Sequence, residues 1–100
     1  MIEHTVTFSL KHAHGSPEER NFLQAAAALA SIPGVRDFAI RKQISPKLDH
    51  DYGITMRFTS QAEYDAYSSH PMHVAFVQDR WLSEVVRFQE SDFTPLPAVG

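Results

Sequence analysis

The chain contains no cysteine, which excludes disulfides, thiolate nucleophiles and zinc–sulfur sites. It has no basic excess either: nine Lys and Arg stand against twelve Asp and Glu, a formal charge of −3. Without a basic stripe, nucleic acid is not an expected partner. Long apolar runs are missing too. The longest, Ala25 to Ala30, falls far short of the roughly 20 residues that span a bilayer, so no membrane partner is expected. Met1-Ile2-Glu3-His4 offers neither a basic region nor an apolar one, so no secretory leader is read there. By elimination, the expected location is cytoplasmic. Neither a nucleotide loop nor a nucleophile elbow occurs, and no cofactor is expected.

What is present is an ordinary globular composition, 43% apolar and 21% charged, over 100 residues that suffice for a single domain. Its core is expected over residues 2–93, with 94–100 as a loose tail. Ile2, His4, Val6, Phe8 and Leu10 alternate with Glu3, Thr5, Thr7 and Ser9, the period of a strand. Ser16-Pro17-Glu18-Glu19 predicts a helix start with a capping box. Phe22, Ala26, Leu29 and Ala30 then form an apolar stripe toward a sheet, and Pro33-Gly34 ends the helix.

Val35 to Gln43 reads as a second strand burying Phe38 and Ile40. In a third strand, Tyr52, Ile54, Met56 and Phe58 alternate with Gly53, Thr55 and Arg57. Ser60-Gln61-Ala62-Glu63 repeats the capping logic and opens a helix carrying Tyr64 and Tyr67. Pro71 breaks that helix, and a continuation to about Leu82 aligns His73, Val77 and Trp81, with Phe76 beside them. Val85 to Phe93 reads as the last strand. The order β-α-β-β-α-β is the ferredoxin-like α+β arrangement, an antiparallel sheet covered by helices on one face. The open face, with Glu3, Thr5, Thr7 and Ser9, is expected to pair with a second copy as a homodimer, closing a dimeric α+β barrel.

The stretches Ile2-Glu3-His4-Thr5-Val6, Ile32-Pro33-Gly34-Val35, Asp51-Tyr52-Gly53 and Tyr67-Ser68-Ser69-His70-Pro71-Met72-His73 resemble the stress-responsive A/B barrel domain family. The resemblance covers nearly the whole chain to about Asp92-Phe93, and implies a dimeric α+β barrel of ferredoxin-like protomers. A plant branch of that family comprises polyketide cyclases, which close a linear chain by aldol condensation. For that branch the resemblance implies a pocket between sheet and helices, with Tyr67, His73 and His4 at the matching positions. The sequence departs from the branch at Tyr52, where the pattern has a histidine, and at Ala25, where it has a tyrosine.

The residues themselves permit that chemistry. A neutral His73 takes a proton beside a carbonyl, and the Tyr67 hydroxyl holds the developing oxyanion. His4 orients the ligand from the strand. Tyr52, Phe22, Ile54, Phe76 and Val77 serve either as core or as an apolar ligand wall. The structural alternative is that His4 bonds a neighbour inside the core, and that Tyr67 and His73 bond each other at the helix break. His70 and His73 have the spacing of a metal pair, but Pro71 makes His70 a helix cap. No third ligand is evident beyond Asp79 and His50, so no metal is expected. His12 and His14 fall in a polar loop and are expected to be solvated. The partners left are therefore a second copy and a small apolar ligand, bound for an enzyme or simply for a binding module; the alternative is a purely structural dimerisation module with both histidines satisfied internally.

Overall fold

In a computed structural model, which describes residues 1–98, strand β1 (Ile2–Leu10) alternates as its sequence does and buries Val6, Phe8 and Leu10. It pairs antiparallel with β3 (Tyr52–Phe58) on one side and β4 (Val85–Phe93) on the other. β2 (Arg36–Lys42) adds to the far edge of β3, giving the order β2-β3-β1-β4. Helix α1 (Pro17–Ala27) follows β1 and ends in a 3-10 turn (Ala28–Ser31). After β3 come α2 (Gln61–Ser69), α3 (Pro71–Phe76), a π-helical turn (Val77–Trp81) and the short α4 (Leu82–Glu84). This is the ferredoxin-like order expected from the sequence. Of the tail, Thr94 donates to the Met1 carbonyl at 3.1 Å, while Val99 and Gly100 lie outside the described residues. Among the described residues no helix is long and apolar enough to cross a membrane.

Both predicted helix starts form, with a shifted partner. The Ser16 and Ser60 hydroxyls accept from the backbone N–H of Glu19 and Glu63, at 3.1 and 3.2 Å. Each glutamate then reaches one residue beyond the cap: Glu19 accepts from the Gly15 N–H at 2.8 Å, and Glu63 from the Thr59 N–H at 2.9 Å. Gly34 ends the connection after α1 at φ 91°, a conformation that strains any other residue, with Glu63 packed 3.4 Å from where a Cβ would sit. His70 caps α3, its Nδ1 accepting from the Met72 N–H at 3.1 Å.

Three expectations are corrected. Ala30 is exposed, because the chain tightens into the 3-10 turn and the 3.6-residue period stops at Leu29. Ser9 is fully buried and not exposed to solvent with Thr5 and Thr7; it is the last residue paired before the β1–β4 register shifts. His12 is not solvated: its ring bonds Glu84 at 2.6 Å, and both side chains are nearly buried.

Glu84 also takes Arg80 Nε at 2.6 Å, and Arg80 continues to Asn21 at 2.7 Å. This network ties the π-turn to α1 and the loop before it. The Arg80 bond, with help from His12, holds the Glu84 carboxyl below its ordinary 4.5. The stability it confers is therefore present above that value and lost as pH falls through the lowered folded value. Glu84→Gln is expected to flatten the acid limb of stability, read from urea midpoints across pH. An unchanged limb would remove the network from the account.

Candidate functional site

The sheet and the α3–π-turn segment do not close completely. Between them lies a cavity of about 320 Å³ lined by His4, Val6, Leu29, Ile54, Met56, Tyr67, His73, Phe76, Val77, Trp81, Leu82, Phe88 and Glu90. Four of these carry proton-handling groups in a largely apolar wall: His4 from β1, Tyr67 from α2, His73 from α3 and Glu90 from β4. The Tyr67 ring neighbours both imidazoles, with its centroid 4.5 Å from His73 and 6.3 Å from His4.

His4 is buried beneath the helices, and its Nδ1 lies 2.6 Å from Asp92 Oδ1. A carboxylate only accepts, so this nitrogen carries the proton and donates it. Tyr64 completes the arrangement by donating to Asp92 Oδ2 at 2.9 Å, with its ring 5.0 Å from that of His4. In the neutral ring Nε2 then keeps its lone pair. His4 itself lines the cavity, and Nε2 is its ring nitrogen without a hydrogen-bond partner among the described residues. The His4–Asp92 bond rests on β-pairing, since the two residues face each other in the β1–β4 register.

His73 is held in the same sense by a weaker partner, its Nδ1 donating to the Ser68 carbonyl at 2.9 Å. Tyr67 and His73 therefore pack ring against ring at a tilt of 46° and do not hydrogen-bond each other. The Tyr67 hydroxyl has no partner among the described residues. Burial, with the nearby Glu90 charge, raises its pKa well above the ordinary phenol value, so it stays a donor.

Of the residues read as core or ligand wall, Ile54, Phe76 and Val77 line this cavity; Phe22 and Tyr52 do not. Phe22 is fully buried, enclosed by Phe8, Phe76 and Trp81 at centroid distances of 5.9, 5.3 and 6.2 Å, with the Arg80 guanidinium over its ring. Tyr52 sits at the opposite end of the sheet from His4 and lines a separate concavity with His14, Glu19 and Asp51. There its hydroxyl donates to Glu19, which lowers the Glu19 pKa, while burial raises that of Tyr52. The sequence reading missed Asp92, Tyr64 and Glu90. Only the alternation of β4 signalled the acids, and it could not say which set turns inward.

A model of the stress-responsive A/B barrel domain family matches residues 2–95. Among solved structures, the chain is similar to a Dabb family protein with a ferredoxin-like fold from Mesorhizobium loti MAFF303099. That pair is 52% identical over 95% of this chain and 96% of the other, with a TM-score of 0.92. A dimeric ferredoxin-like protein from Bacteroides fragilis NCTC 9343 shares the fold at 18% identity, covering 94% and 95% of the two chains, with a TM-score of 0.70. A hydroxynitrile lyase from Passiflora edulis does so at 12% identity, over 92% and 90%, with a TM-score of 0.77. A comparison with curated protein sequences finds no match.

Proposed function

Since the chain belongs to the stress-responsive A/B barrel domain family, we propose that its cavity binds a small apolar molecule bearing a carbonyl and removes a proton from the adjacent carbon. The observation that carries this reading is an imidazole backed by a carboxylate, beside an unpartnered tyrosine hydroxyl, in a largely apolar wall. His4 Nε2 takes the proton. The C–H electron pair forms a C=C bond, the carbonyl pair moves onto oxygen, and the Tyr67 hydroxyl donates to that oxygen.

The sequence alone placed the base at His73. The carboxylate favours His4, because Asp92 stabilises the imidazolium that forms, whereas the Ser68 carbonyl offers His73 only a dipole. Attack of the resulting enolate on a second carbonyl of the same molecule would be ring closure, the reaction of the plant cyclase branch. Benzylacetone in deuterium oxide tests the first step. The protein is expected to speed deuterium entry beside the carbonyl and to show shifts at His4, Tyr67 and Trp81. Benzylacetone binding elsewhere, with no faster exchange than imidazole buffer, would overturn the reading.

The same proposal includes a homodimer through the open sheet face. That face already carries cross-strand pairs, among them Arg57–Glu3 at 3.1 Å and Thr5 to the Ser91 carbonyl at 2.6 Å. Burying a flat polar sheet symmetrically leaves those pairs satisfied while adding core. The dimeric Bacteroides fragilis protein of the same fold supports it. Light scattering at micromolar concentration is expected to give twice the 11.3 kDa chain mass. A monomer would exclude this interface.

A further inference from the structure

The charge on the cavity wall is one-sided. Among the described residues no lysine or arginine lines it, and its one charged carboxylate is Glu90. Glu90 pairs with Val6 in the β1–β4 register, so it stands on the same helix-side face as Asp92, two residues along. It is exposed and has no ion-pair partner among the described residues. Its charge reaches the Tyr67 hydroxyl, which its field helps keep protonated. Around it the wall is aromatic: Trp81 and Phe88 meet edge to face at 5.6 Å, and Phe88 is half exposed at the mouth.

We propose that the ligand of this cavity bears a cationic nitrogen at its outer end, seated between Glu90 and the Trp81–Phe88 aromatic pair, and that anionic molecules are excluded. An ammonium group gains both the carboxylate and the negative faces of the rings. A carboxylate or phosphate meets Glu90 with nothing to neutralise it. The inference rests on the cavity being the ligand site, and names the charge class of what enters it.

Three probes with similar phenylalkyl bodies test it by chemical-shift titration of the full chain: benzylacetone, phenylpropylamine and phenylbutyrate. The ammonium probe is expected to bind about fivefold tighter than the ketone, and the carboxylate probe at least as much weaker. In Glu90→Gln, or at high salt, both differences are expected to shrink to within about twofold. Phenylbutyrate binding as well as benzylacetone would overturn the proposal, as would an ammonium preference that survives Glu90→Gln. Either result leaves the cavity reading standing if benzylacetone still shifts His4 and Tyr67. No shift there with any probe would overturn both.

Discussion

Asp92→Asn is expected to slow proton removal from a bound ketone by about 100-fold while changing its affinity by less than about threefold. Asp92 lines none of the ligand cavity; it acts through His4 Nδ1 at 2.6 Å, and its side chain is 43% exposed on the far side. The aspartate fixes which ring nitrogen carries the proton and stabilises the imidazolium formed in the step. An asparagine amide can donate to Nδ1 instead, which turns the proton toward the cavity and removes the base. His4→Gln is expected to cost as much, and the double variant little more, because the two residues act as one unit. His73→Gln is expected to cost only about tenfold by comparison. The measurement is deuterium entry into benzylacetone at saturating ketone. Full activity in Asp92→Asn together with its loss in His73→Gln would move the base to His73.

Phe22→Ala is expected to cost about 3–5 kcal/mol, and so to consume much of the roughly 5–15 kcal/mol that holds such a domain folded. Phe22 has no exposed surface and touches one ring of the sheet, Phe8, and two of the helical layer, Phe76 of α3 and Trp81 of the π-turn. Its removal leaves a hole that the sheet cannot close, because β1 is fixed on both edges by pairing. For a chain of this size the melting temperature should drop by about 15–30 °C. Urea unfolding with an unchanged slope checks the figure. A cost below about 1 kcal/mol would mean that Phe22 faces a space able to collapse, and that the aromatic cluster is not the centre of the core.

The strands with clean alternation were legible because one face of a half-covered sheet must be apolar: β1 and β3 bury the residues their sequences mark. Helix starts were legible because caps are local, down to the Ser16, Ser60 and His70 contacts. Legibility failed where one element decides the fate of another. Ser9 alternates as an open-face residue, yet it is fully buried beside the register shift at Ser9/Leu10. His12 sits in a polar loop, yet Arg80 and Glu84 arrive from the far end of the chain to enclose it.

The site divides along the same line. His4, Tyr67 and His73 stood out as polar groups at inward positions, and the structure brings them to one cavity. Phe22 and Tyr52 carried the same apolar signal but fall elsewhere, since periodicity gives a face and not a position along it. Asp92, Tyr64 and Glu90 depended on β4 pairing beside β1 in one register. Nothing local in Val85 to Phe93 selects it.

The central claim is that both cavity histidines keep their protons on the outer nitrogen and present Nε2 to the ligand. Long-range proton–nitrogen correlation NMR reads this directly, without any ligand. The account predicts that, in their neutral forms, His4 and His73 are both protonated at Nδ1, and that the His4 signal changes in Asp92→Asn. A His4 ring protonated at Nε2, indifferent to Asp92, would contradict it.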